Sequence, residues 1–220
     1  LDEHNNPTDT ELYGGIALGN SSRVESDKGI AIGTSSHVFD NADNGIAIGE
    51  AYVYSTRGIA MGYNSTVSNI GGMSTASGKY SISLGSAANS SSEGSIAVGD
   101  ASQSTGTSSI AIGTGARSDS VNSLAFGPGS LVEEQNSETS ENSIAIGPGA
   151  KVIKASSSIA IGENASIGGD FYSSTGSIVI GANAQTIPNT DLQFARVDYA
   201  VVIGYGASAS YQGSWLGSAG

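Results

Sequence analysis

Ser109-Ile110-Ala111-Ile112-Gly113 is followed, fourteen residues on, by Ser123-Leu124-Ala125-Phe126-Gly127. The shared word is apolar–small–apolar–Gly, and it decides the fold. It recurs twelve times, from Ile16-Ala17-Leu18-Gly19 and Ile30-Ala31-Ile32-Gly33 through Ile110-Ala111-Ile112-Gly113 to Val201-Val202-Ile203-Gly204. The steps between successive repeat glycines are 14, 16, 13, 23, 14, 14, 14, 20, 15, 19 and 23 residues. A unit of about 14 residues with occasional insertions is the mark of a solenoid, in which each unit contacts mainly its neighbours. The 23-residue step between Gly62 and Gly85 has room for a degenerate coil around Gly71.

Within the word, apolar residues two apart share one face of a strand, and the small residue between them faces the other way. A helix needs apolar spacings of three and four, and it tolerates Gly poorly. The residue before the word is also small: Gly15, Gly29, Gly45 and Gly58, then Ser in seven coils from Ser81 to Ser177, and finally Ala200. After the word comes a second patterned stretch, as in Thr34-Ser35-Ser36-His37-Val38 or Pro148-Gly149-Ala150-Lys151-Val152. Small and long residues alternate there, as in a second, more exposed strand. The repeat Gly supplies the turn, where positive φ or a close backbone approach excludes a Cβ. Each unit is therefore expected to form one rung of a flat, all-β parallel roll of about 12–14 coils.

Composition taken without the period points elsewhere. Gly and Ser make 71 of the 220 residues, and the formal net charge is −12. Low apolar content with high net charge is the usual signature of disorder. The isoleucines decide against it: seventeen of the 21 lie at the first or third place of the word. The absence of Cys removes disulfide scaffolds, thiol catalysis and Cys-type zinc sites. No apolar run approaches the roughly 20 residues of a membrane-spanning helix. Eight Lys and Arg against twenty Asp and Glu disfavour nucleic acid as a partner. The polar residues 1–13 read as a lead-in, and 14–220 as the repeat domain.

The interior of such a roll is thin. The Ile pairs are expected to fill it. That leaves an uncharged Ala ladder, including Ala31 and Ala111, on the other face of the same strand. A long apolar stripe is unlikely to face water, and identical copies around an axis along the roll would cover it. Whether the Ile or the Ala face looks toward that axis is left open by the sequence.

Twelve words in register resemble the head repeats of trimeric autotransporter adhesins, the YadA-like head. The stretch Ala76-Ser77-Gly78-Lys79-Tyr80-Ser81-Ile82-Ser83-Leu84-Gly85 has the same look. The resemblance covers about residues 14–217. It implies a left-handed parallel β-roll, a parallel homotrimer, and display on a Gram-negative cell surface through an outer-membrane anchor that this stretch lacks. It implies binding to extracellular-matrix proteins, host cells or other bacterial surfaces, with no enzyme activity and no cofactor. Ser83, Val179 and Val202 depart from the usual Ala. Trp215, the only Trp, is expected to cap the end of the roll.

Function is expected where extra residues leave the roll as loops. The step from Gly127 to Gly147 carries Glu133, Glu134, Glu138 and Glu141, which are either a solvated loop or a contact for a basic patch. The step from Gly162 to Gly181 carries Phe171 and Tyr172, adjacent aromatics that could form a hot spot. The stretch 187–199 is apolar enough to pack on its own roll or on a neighbouring chain. Asp40-Asn41-Ala42-Asp43-Asn44 lacks the ligand pattern of a calcium loop and reads as a polar turn. His4 and His37 read as surface residues, not as a base or a metal ligand. Other readings are a structural spacer in a fibre, a six-residue-repeat acyltransferase, whose period differs, and an ice-binding solenoid, whose regular Thr array is missing.

Overall fold

The computed structural model describes residues 14–67, 79–134, 139–168, 174–187 and 197–210. The chain divides into two compact units, Leu1–Ser104 and Thr105–Gly220. All regular structure among the described residues is β, in strands of two or three residues, with no helix.

In the first unit, six word strands lie side by side in chain order and in parallel: Ile16–Leu18, Ile30–Ile32, Ile46–Ile48, Ile59–Met61, Ile82–Leu84 and Ile96–Val98. Six second strands, from Arg23–Val24 to Gln103–Ser104, form the other parallel sheet. The second unit repeats the pattern. Its word strands run from Ile110–Ile112 to Val201–Ile203, and its second strands from Arg117–Ser118 to Ser208–Ser210. Each unit is a parallel β-solenoid, with six coils among the described residues. Words stack in strict register, Ile30 on Ile46 and Ala31 on Ala47 in one unit, Ile144 on Ile159 and Ala145 on Ala160 in the other.

The repeat Gly meets both requirements at once. Gly85 has φ +135°, and a Cβ there would lie 2.5 Å from the carbonyl oxygen of Gly99 in the next coil. Gly33, at φ +124°, would meet Gly49 in the same way at 2.6 Å. Only glycine allows successive coils to approach this closely.

The interior corrects one expectation. Ala31, Ala47, Ala60, Ala111, Ala125, Ala145 and Ala160 are fully buried between the two sheets. The flanking Ile30, Ile32, Ile110 and Ile112 face outward and are only partly covered. The sheets close on small side chains, so the Ile pairs cannot fit between them. The word places its largest residues outside the roll and its smallest inside. Ser83, Val179 and Val202 occupy the same buried place as the Ala ladder.

Serine before the word has a bonding role in the second unit. The Ser158 amide donates to Ser143 Oγ, the Ser177 amide to Ser158 Oγ, and the Ala200 amide to Ser177 Oγ, each at 3.1 Å. Each hydroxyl in turn donates to a backbone carbonyl: Ser143 to Ala155, Ser158 to Ser174 and Ser177 to Val197. Buried hydroxyls and amides are thus satisfied from coil to coil, as burial of polar groups requires.

Candidate binding surfaces

Two kinds of surface are open to a partner. The first is the outward row of each word sheet. In the first unit it carries Ile30, Ile32, Ile46, Ile48 and Ile59, with Met61 39% exposed. In the second it carries Ile110, Ile112, Leu124, Ile144 and Ile146, with Phe126 49% exposed. Every place in these rows is apolar, so each row is a flat hydrophobic rail with one pair of side chains per coil. Apolar surface of this continuity marks an interaction site on a soluble fold.

The second is the outward side of the other sheet. In the first unit, register places Arg23 beside His37, His37 beside Tyr52, and Tyr52 beside Thr66. Rings stack at the edge of this patch. The His37 and Phe39 centroids are 3.6 Å apart, and those of Phe39 and Tyr54 are 3.9 Å apart. Burial, and secondarily the neighbouring Tyr52, raises the pKa of the Tyr54 hydroxyl above the ordinary tyrosine value. Glu25 lies between two bases, with Oε1 2.6 Å from Arg23 Nε and Oε2 3.1 Å from His37 Nε2. The latter approach is a close contact without hydrogen-bond alignment. His37 is therefore on the outer strand, as its sequence position predicts, but it is packed against a ring and a carboxylate and not simply solvated. Nearby, Arg57 donates to Tyr80 OH at 3.0 Å and lies over its ring.

Loop length carries no sign of this aromatic group. The signal was present in His37-Val38-Phe39 and Tyr52-Val53-Tyr54, fifteen residues apart. Each carries an outward residue, an inward Val and a ring at matching coil positions.

The residues singled out by loop length are placed differently. Glu133 ends the strand Leu131–Glu133 and is half-buried, with Oε1 3.5 Å from Arg117 Nη1. Arg117 also pairs with Asp119 at 2.5 Å, and Asp119 accepts from the Thr105 hydroxyl at 2.7 Å. Glu134 is exposed. The carbonyl of Glu141 accepts from the Ser157 amide at 2.8 Å and from Ser143 Oγ at 3.2 Å. Glu138, Phe171, Tyr172, His4, Gly71, Trp215 and most of 187–199 lie outside the described residues. The stretch Asp40–Asn44 is a turn in which Asn41 Nδ2 donates to Asp40 and the Asp27 amide donates to Asp43. Among the described residues, no three His, Asp or Glu side chains come together as a metal site.

The family model described as YadA head domain repeat, two copies, matches residues 13–36, 70–88, 76–102, 90–116 and 104–130. The last three matches start fourteen residues apart, one coil at a time. Residues 13–36 and 70–130 are thus similar to YadA head repeats. The YadA-like word continues in the same structural place beyond the matched stretches, at Ile46–Ile48 and Ile144–Ile146. YadA-like heads are a family of adhesins, not of enzymes. No curated protein matches the chain.

Proposed function

We propose that residues 14–220 form one head of a trimeric autotransporter adhesin, preceded by the polar stretch 1–13. In this reading the coils are left-handed, and three parallel copies meet through their Ile rails. The full-length protein holds them on a Gram-negative outer membrane. The outward row of large apolar residues carries the proposal, because burial between identical copies removes it from water. The surface left outside would bind an extracellular-matrix protein, a cell-surface receptor or another head. Repetition along three chains would raise weak contacts to useful avidity. The acidic charge makes attraction to basic partners salt-sensitive. Glu133, Glu134, Glu138, Glu141, Phe171 and Tyr172 are the proposed contact residues. No cofactor or metal enters this role.

Light scattering tests the assembly: a trimer is expected, and a stable monomer at micromolar concentration overturns it. A binding screen against matrix proteins and host cells, with 134–139 and 169–173 deleted in turn so that the flanking strands stay intact, tests the contacts. Loss of binding on deletion is expected. Binding untouched by either deletion moves the site to the roll, where the patch of His37, Phe39 and Tyr54 is the next place to look. A second reading, a spacer that lifts another domain, is favoured by the pairing of Glu133 within its own roll. Absence of binding to every surface would establish it.

A further inference from the structure

The described arginines fall into two groups. Arg23 is paired with Glu25, and Arg117 with Asp119 and Glu133. Arg57 is exposed and has no carboxylate partner among the described residues. It is held by a ring instead. Its Nη1 donates to the Tyr80 hydroxyl at 3.0 Å, and its guanidinium carbon lies 5.3 Å from the centre of the Tyr80 ring.

The turn that leads from the second strand to the word sets up this pair. Lys28, Asn44, Arg57, Tyr80 and Gly94 hold the same place in successive coils, and all have left-handed φ. Gly and Asn tolerate that conformation, whereas a ring there is an outlier. Tyr80 has φ +60° and is 52% exposed, so burial of the ring does not offset the strain. Strain kept in this way clusters at working sites. The ring reaches back over the preceding coil and fixes the guanidinium. Tyr199, at φ +57°, makes the same reach over Gly176, where a Cβ would lie 2.7 Å from Tyr199 Cδ1. That place carries no cation, so the feature peculiar to Tyr80 is the arginine it holds.

The Tyr80 hydroxyl takes up Nη1. The Nε–Nη2 edge keeps two parallel N–H donors, the geometry that grips a carboxylate through both oxygens. Lys79 adds a second positive charge beside Tyr80. Of the carboxylates on this edge, Asp43 accepts the Asp27 amide of the preceding coil at 3.3 Å, and Glu93 stands in the coil after Lys79. Backbone donors around the pair are already used. The Arg57 amide bonds to the Asp43 carbonyl at 2.8 Å, that of Gly58 to Ser55 at 3.1 Å, and that of Tyr80 to Thr56 at 3.2 Å. A peptide laid here would find no main-chain donor, whereas a saccharide needs only side chains. The exposed ring offers its surface to the C–H groups of a sugar.

We propose that Arg57 and Tyr80, with Lys79, bind the carboxylate of an acidic saccharide unit, a uronic or sialic acid. The site stands on the turn edge, apart from the contact residues named above, and uses no contact between chains. Tyr80 pre-sets the guanidinium, so little ordering remains to be done on binding.

Calorimetric titration with oligogalacturonate tests this. Binding is expected, and its methyl ester, the same sugar without the charge, should not bind. Arg57→Gln should weaken binding about tenfold or more. Arg57→Lys should weaken it nearly as much, because lysine keeps the charge but loses the fork. Tyr80→Phe should weaken it several-fold by releasing the guanidinium. Tyr80→Asn should lose binding while unfolding at the same denaturant concentration or a higher one, which a merely structural ring would not do. Lys151→Gln removes another exposed charge and should change nothing. Wild type that does not bind, or an equal loss with Lys151→Gln, overturns the site. Oligoglutamate bound as tightly as oligogalacturonate overturns the saccharide assignment. Should Arg57→Gln fail to fold, Arg57→Lys carries the same two outcomes.

Discussion

Two parts of the first unit fill the same space in opposite ways. In the coils entered through Gly29 and Gly45, the residue before the word has no side chain, and the second strand turns Val38 and Val53 inward. A Cβ on Gly29 would lie 2.8 Å from Val24 Cγ1 and 3.0 Å from Val38 Cγ1. In the coils entered through Ser81 and Ser95, both serines are buried, and the second strand turns Ser90 and Ser104 inward. There Ser83 Oγ lies 2.9 Å from Ser90 Oγ and donates to the Thr66 carbonyl at 2.7 Å. The gap between the sheets is thus filled by Gly facing Val or by Ser facing Ser. In these coils of the first unit the volume is divided between two positions, whereas in the second unit buried Ser143 and Ser158 share their coils with buried Val152 and Ile167. One solution relies on apolar packing, the other on hydrogen bonds.

The Gly rail is common to both parts and should show the largest effect. Gly33→Ala and Gly85→Ala each force a Cβ onto backbone of the next coil, so neither part can relax around it. Each is expected to cost about 3–5 kcal/mol or to prevent folding, as read by denaturant unfolding. A mild effect in one part alone would mean that the two do not share the same coil spacing.

Next comes the exchange of one filling for the other. Gly29→Ser should cost about 1–3 kcal/mol by overpacking, and a second change, Val24→Ser, should recover much of it. Gly45→Ser should resist such rescue, because its Cβ would also lie 2.7 Å from the Ala42 carbonyl oxygen. Double-mutant cycles read the coupling. Additive effects at Gly29 and Val24 would sink the shared-volume explanation.

Ser83→Ala is smaller. It restores the residue usual at this place but removes a partner of Ser90, at about 1 kcal/mol. Adding Ser90→Val converts the coil toward the apolar filling and should bring stability back to the wild-type value or above it. If the double variant is worse than Ser83→Ala, the two fillings are not interchangeable.

The smallest effect lies on the outer face of the Val-filled part. The folded pKa of Tyr54 is raised, so its contribution is fully present below the ordinary tyrosine value. The unfolded chain loses this proton first, and the contribution is lost as pH rises through the folded value. Tm should therefore fall less steeply above pH ~10 in Tyr54→Phe than in wild type. An unchanged slope would place the ring in water.

Much of this was legible because the controlling signal is local. A Gly at each fourteen-residue step, an Ile one and three residues before it, and a small residue between them define strand, turn and period without reference to anything distant. His37 fell on the outer strand, and Asp40–Asn44 in a turn, for the same reason. The stack of His37, Phe39 and Tyr54 was hidden because it joins residues from different coils, and the 13–16-residue steps blur the alignment until coils are superposed. Glu133 was read with a loop because it is one of four carboxylates in one long step, whereas its strand pairs it with Ile153 in register and its side chain meets Arg117.

The sequence by itself determined the repeat, the β class, the parallel stacking and the need for Gly at every turn, since all follow from spacing and from the steric demands of one residue type. Which side of the word looks inward was decided only by tertiary structure. Alternation places Ile and Ala on opposite faces but is silent about which face closes. Two sheets joined by turns this tight leave room between them for Ala, Ser, Val and the lone Ile167, and none for stacked Ile pairs. The same closeness puts the largest apolar side chains outside the roll, as the face left for another chain.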